Sequence, residues 1–173
     1  MTKKLMPNEQ APVLSLPLVG GGVWTLAEQK PKNFTMVIFY RGLHCPVCKM
    51  YLTKLNKLIN IADEAGVTVV AASMDPEDRA TQTKADWELS NIDLAYGATA
   101  QDAINWGLYL TAAIKDTETN QFAEPGLFWV RPNGQLYLID ISNTPFNRSD
   151  LDELLETVDC IKENDYPIRG TYE

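Results

Sequence analysis

The stretch FTMVIFYRGLHCPVCKMYL, Phe34 to Leu52, changes its period halfway along. Met36-Val37-Ile38-Phe39-Tyr40 is an unbroken apolar run with the β-branched and aromatic composition of a buried strand. Arg41 and Gly42 interrupt it. From Cys45-Pro46-Val47-Cys48 onward, Val47, Tyr51, Leu55, Leu58, Ala62 and Ala65 recur at the spacing of one helical face. The stretch therefore predicts a strand, a short turn and a helix whose first turn carries two thiols. Pro46 suits that turn, because the N–H it lacks has no intrahelical partner there.

A cysteine at a helix N-terminus meets unpaired backbone N–H groups and the positive end of the helix dipole, and both favour its thiolate. Arg41 lies just upstream, and His44, if protonated, adds a second positive charge acting the same way. Cys48 follows on the neighbouring part of the turn. A nucleophilic thiolate with a resolving thiol in reach is what reversible disulfide chemistry requires. Two other readings compete. Half a zinc site would need a second ligand pair, and only Cys160 and the single His44 are left to supply one. Two inert buried cysteines are common in cores but seldom occur as C-x-x-C after a strand. The pattern favours a redox-active, exposed dithiol, with no metal and no prosthetic cofactor.

The chain has 173 residues, 45% of them hydrophobic, which suits one domain over residues 1–173 with its core at about 11–165. A formal net charge of −8 argues against nucleic acid or an anionic membrane as partner. The sequence has no apolar run of bilayer length, and the basic start Met1-Thr2-Lys3-Lys4 is not followed by a signal-peptide core. Three cysteines, two of them in one motif, do not make a disulfide scaffold, so a reducing cytoplasm is the expected setting.

Residues 11–28 read as two short strands around a turn at Gly20-Gly21-Gly22; the glycines lack the lysine and the spacing of a phosphate-binding loop. After Gly66, a helix C-cap, Val67 to Ser73 reads as the next buried strand. Asp75-Pro76-Glu77-Asp78 predicts a helix start with Asp75 as N-cap, running to about Leu89 with Trp87 as a packing residue. A short strand at Ile92–Tyr96, a helix from Thr99 to Leu108 and a strand over Tyr109–Ile114 follow. Lys115–Glu124 reads as a polar, mobile loop. Leu127–Val130, Pro132-Asn133-Gly134 and Gln135–Ile141 form the clearest hairpin in the chain. Ser149 opens the last helix, striped by Leu151, Leu154, Leu155, Val158 and Ile161. Cys160 lies within that stripe and is expected to be structural and silent. Strands alternating with helices, then a hairpin and a final helix, predict an α/β fold with helices on both faces of a mixed sheet.

The strand–C-x-x-C–helix unit, Pro125 before a strand, the Pro132-Asn133-Gly134 hairpin and the closing helix resemble the thioredoxin fold. APVLSLPLVGGGVWTLAE and VIFYRGLHCPVCKMYL further resemble peroxiredoxin-like proteins of the alkyl hydroperoxide reductase C and thiol-specific antioxidant family. The similarity extends to a subgroup with Arg-Gly-x-(Trp or His)-Cys-Pro-x-Cys, matched by Arg41, Gly42, His44, Cys45, Pro46 and Cys48. The resemblance implies a thioredoxin-like domain with a central mixed sheet flanked by helices and a short N-terminal β-hairpin extension. It implies a thiol-dependent oxidoreductase in which Cys45 is the nucleophile, Cys48 the resolving thiol and Arg41 a catalytic charge. His44, Pro46 and Pro125 then border the substrate, with Pro125 as a cis-proline facing the dithiol. The implied partners are a hydroperoxide or disulfide substrate and a thioredoxin- or glutathione-type reductant, and a homodimer is compatible with the family. Peroxiredoxins proper carry Pro-x-x-x-Thr-x-x-Cys, where this chain has Ile38 and Gly42, and their late arginine falls on Pro125. Those departures imply a slow peroxidase with disulfide reduction as a competing activity. Two further readings stay open: a thioredoxin- or glutaredoxin-like disulfide oxidoreductase, and a non-catalytic dithiol redox sensor.

Overall fold

The computed structural model describes residues 4–172; Met1-Thr2-Lys3 of the basic start, and Glu173, lie outside it. The all-apolar run becomes β3, Phe34–Phe39, buried at every position as a central strand must be. Beside it lie β4, Val67–Ala72, and β5, Asp93–Ala95, parallel to one another, while β8, Gly126–Val130, and β9, Leu136–Ile141, complete the sheet antiparallel. The strand order is β5-β4-β3-β8-β9. β1, Ser15–Pro17, and β2, Val23–Thr25, form the expected N-terminal hairpin.

Two apolar layers cover the sheet. On one face Phe34, Met36, Ile38 and Tyr40 pack against Leu52, Leu55 and Leu58 of α1, Pro46–Glu64, and Leu151, Leu155 and Val158 of α4, Leu151–Glu163. On the other, Val37, Phe39 and Phe128 meet Trp106, Leu14, Leu16 and Trp24, so the hairpin and α3, Ala100–Asn105, close that side. Burying each such large side chain is worth about 1.5–3 kcal/mol, so both layers matter. Trp87 packs edge-on to Tyr40, as expected of a core residue.

The N-terminal segment also covers backbone. Val19 N–H donates to Leu94 O at 2.9 Å and Tyr96 N–H to Pro17 O at 3.1 Å, along the outer side of β5. At the opposite edge Asn8 N–H donates to Leu136 O at 2.8 Å and Leu136 N–H to Glu9 O at 2.9 Å.

Several expectations shift. α2 spans Glu77–Asp86 with Pro76, not Asp75, as N-cap, because the Asp75 carboxylate is turned towards the loop before Cys45. α4 is capped by Asp150 rather than Ser149, whose hydroxyl and N–H both donate to Asp140 Oδ2. The supposed mobile loop over residues 115–124 contains β7, Gln121–Ala123, paired with β6, Leu110–Ala112. Phe122 anchors it: its side chain is fully buried.

Candidate active site

The site forms at the C-terminal end of β3. Tyr40 N–H donates to Ala72 O at 3.0 Å, after which the chain leaves the sheet. Gly42 makes the turn with φ +135°, and Cys45 N–H closes it on Gly42 O at 3.1 Å. Cys45 is the N-cap of α1: Lys49 N–H donates to its carbonyl at 3.0 Å, and Cys48 N–H donates to its Sγ at 3.2 Å. Pro46 occupies the first helical turn and is exposed. The strand, turn and thiol-bearing helix are thus assembled as the sequence predicts.

Asp75 fixes the turn from behind. Its buried carboxylate accepts Leu43 N–H at 2.7 Å and Arg79 Nε–H at 3.2 Å. A Cβ at position 42 would lie 2.7 Å from Asp75 Oδ2, so the positive φ and the carboxylate both demand glycine there. The missing threonine of the peroxiredoxin pattern therefore has a local cause: Asp75 occupies the space.

The two thiols, both unbonded, have opposite electrostatics. The Cys45 thiol is lowered to about 6, chiefly because the Cys48 thiol donates to it; the Cys48 N–H and the charges of Arg41 and Arg148 act the same way against the opposing effect of burial. Burial and the neighbouring Cys45 push the Cys48 thiol up, with Arg148 opposing. Of the two thiols, Cys45 is the one held towards its thiolate form. The dithiol is not exposed as expected, since Cys45 is 1% and Cys48 0% accessible, sealed by the packing of α1 and the turn.

Arg41 is present as expected but is not an unpaired charge. Its Nε lies 3.3 Å from Glu124 Oε2 and its Nη2 4.0 Å from Glu118 Oε1, and the guanidinium covers the Phe122 ring at 4.7 Å. Glu124 is held in turn by Thr111 Oγ1–H at 2.7 Å. The His44 ring also packs on Phe122, with ring centroids 4.6 Å apart. Burial, then the Arg41 charge, lowers its pKa, so the imidazole is neutral at pH 7 and adds no positive charge beside Cys45.

Pro125 precedes β8, and the register Phe39↔Gly126 places it at the same end of the sheet as the dithiol. Among the described residues no peptide bond is cis, so the expected cis-proline is trans. Its neighbours explain this. Glu124 N–H donates to Tyr109 O at 2.8 Å and Ser142 N–H to Pro125 O at 3.0 Å, so an extended chain runs from β7 directly into β8.

Cys160 is exposed on α4 rather than packed, because the buried stripe runs through Leu151, Leu155 and Val158 and turns Cys160 to solvent. Among the described residues no cluster of three His, Cys, Asp or Glu forms a metal site, and no helix is long and apolar enough to cross a membrane.

Asp75, Glu118, Glu124, Phe122 and Arg148 escape sequence reasoning. Arg148 is the most consequential, with Nη2 donating to Cys48 Sγ at 2.8 Å. Its only sequence signal is a basic residue just ahead of the last helix, which does not indicate a partner.

Comparison with known proteins gives one consistent result. The AhpC/TSA family model matches residues 7–139. No curated protein matches significantly. Among solved structures, the peroxidoxin BcpB of Mycobacterium tuberculosis superposes with a TM-score of 0.74 at 15% identity, covering 91% of this chain and 99% of its own. The reduced 2-Cys peroxiredoxin of Plasmodium vivax gives 0.76 at 19%, covering 94% and 84%. Mycobacterium tuberculosis AhpC gives 0.72 at 16%, covering 97% and 99%. At such identities the superpositions establish the thioredoxin-like fold of peroxiredoxins, and the family match over most of the chain adds kinship: the protein belongs to the AhpC/TSA family of thiol-dependent oxidoreductases.

Proposed function

We propose that the protein is a thiol peroxidase that reduces small hydroperoxides through a Cys45–Cys48 cycle. The observation that carries this reading is the state of Cys45: an N-cap thiol lowered to about 6, receiving Cys48 N–H at 3.2 Å and only 1% accessible. At neutral pH such a sulfur is thiolate, and a sulfur so enclosed favours a small oxidant over a protein disulfide. The thiolate attacks one peroxide oxygen; the S–O bond forms as the O–O bond breaks, and the departing alkoxide or hydroxide takes a proton. Cys48 then displaces hydroxide from the sulfenic acid to give the disulfide, and a thioredoxin- or glutathione-type thiol reduces it. Such a reductant is consistent with a cytoplasmic setting.

The Cys-Pro-Val-Cys spacing also suits disulfide exchange, as a secondary activity limited by the enclosure of Cys45. Stopped-flow oxidation of the reduced protein by hydrogen peroxide and an organic hydroperoxide, beside insulin reduction, tests the assignment. Peroxide consumption faster than by free cysteine at equal thiolate concentration is expected. Insulin reduction without such an excess would leave a disulfide oxidoreductase instead.

A further inference from the structure

Arg148 belongs to the loop between β9 and α4, 100 residues from the thiol it touches. Three hydrogen bonds fix the next residue, Ser149. Its N–H and hydroxyl donate to Asp140 Oδ2 at 3.1 and 2.6 Å, and Tyr51 O–H donates to its carbonyl at 2.8 Å. The Arg148 guanidinium lies over the Tyr51 ring at 4.6 Å. Its Nε and Nη1 are buried with no hydrogen-bond partner. Arg148 borders a cavity of about 10 Å³, shared with Pro125, Gly126 and Asp140, which is about the room one water needs. Among the described residues no carboxylate forms an ion pair with Arg148, so Cys48 Sγ is the one potential anion bonded to it.

We propose that Arg148 is the catalytic residue of the resolving step: its guanidinium stabilises Cys48 as the attacking thiolate once Cys45 is oxidised, and the same sulfur as leaving group when the disulfide is reduced. A half-buried cation without a counter-ion is unfavourable, and a thiolate 2.8 Å away removes that imbalance. The sequence of charges follows from the geometry. In the reduced protein Cys45 carries the negative charge and Cys48 stays protonated, donating to it. Oxidation of Cys45 removes that charge and the need for the donated proton. Cys48 then faces Arg148, the Arg41 N–H and the phenol of Tyr40, which burial keeps neutral. Asp140 and Asp150 face Tyr51, the ring that Arg148 covers. In the step itself the Cys48 sulfur bonds to the Cys45 sulfur, the S–O bond of the sulfenic acid breaks, and the hydroxide leaves as water after taking a solvent proton. Cys48 is oxidised by one level and Cys45 reduced by one.

The inference rests on the Cys45–Cys48 cycle proposed above, and a test with two oxidants separates them. Reduced wild type, Arg148→Met and Arg148→Lys are mixed with hydrogen peroxide or with glutathione disulfide, and quenched samples are mapped for Cys45 sulfenic acid, Cys45–glutathione and the internal disulfide from pH 5 to 10. Arg148→Met is expected to form the internal disulfide about tenfold more slowly at pH 7, since losing one charge-assisted hydrogen bond lowers the thiolate population by more than the gain in nucleophilicity restores. The deficit should close as pH rises towards 10, and Arg148→Lys should recover part of it. Should Arg148→Met not fold, Arg148→Gln, which keeps donors and loses the charge, carries the same expectation. If Cys45 forms no sulfenic acid in wild type, the peroxidase reading fails while the glutathione arm still reads the resolving step. A resolving rate unchanged by loss of the charge, or slowed equally at every pH, overturns the role of Arg148.

Discussion

Two arginines flank the dithiol, and their surroundings differ in the one respect that decides what they do. Arg41, adjacent in sequence to the motif, lies between two carboxylates and an aromatic ring; its charge is shared with them while it also helps to lower the Cys45 thiol. Arg148, remote in sequence, meets a thiol, an aromatic face and two unpartnered positions. The nearer arginine therefore ties the β6–β7 hairpin to the turn, and the farther one is bonded to the Cys48 sulfur. Proximity in sequence is a poor guide to which partner a charged side chain is bonded to.

The largest expected effect concerns the thiols. Cys45→Ser should abolish peroxide reduction. Cys48→Ser should still consume one equivalent and accumulate a sulfenic acid on Cys45, detectable by dimedone labelling; a labelled Cys48 in Cys45→Ser would reverse the two roles. Next comes Arg41→Met. It strands the buried Glu124 carboxylate, so destabilisation of about 3 kcal/mol is expected in urea unfolding. Full stability combined with a large rise in the Cys45 midpoint would break the contrast and make Arg41 the electrostatic partner.

Gly42→Thr restores the hydroxyl of the peroxiredoxin pattern, yet it should lose stability by roughly 1–3 kcal/mol from backbone strain and lower peroxidase activity as the turn moves. A threonine there meets Asp75 at 2.7 Å with φ +135°. Faster peroxide turnover in this variant would show that the turn has room the carboxylate does not take. The smallest effect is in the titration of Cys45. Alkylation by iodoacetamide should rise with pH through a midpoint at about 6, thiol below and thiolate above. Glu124→Gln, by freeing Arg41 from one carboxylate, should lower that midpoint by less than about one unit; a larger drop would mean that Glu124 masks most of the Arg41 charge at the sulfur.

What the sequence discloses follows from how local each interaction is. The β3–Cys45–α1 unit and the Pro132-Asn133-Gly134 hairpin are legible because period, turn chemistry and capping lie within a few residues. The place of Cys45 at the helix N-terminus is legible for the same reason. Arg148 on Cys48, and Asp75 on Leu43 across 32 positions, leave no periodic trace. The charge of His44 depends on burial and on Arg41, and the trans bond at Pro125 on the strand that precedes it. Cys160 shows the limit of a stripe: Val158 and Ile161 are near it in sequence, but its own direction on α4 is outward.

The N-terminal segment has a role apart from the chemistry. By bonding to Leu94 and Tyr96 along β5 and to Leu136 of β9, it occupies backbone groups at both margins of the sheet. Unpaired margins are templates on which a second molecule can add a strand. Proteolytic nicking near Gly20 would release these latches without touching the thiols. The clipped protein would then be lost through self-association before it lost its reactive cysteine.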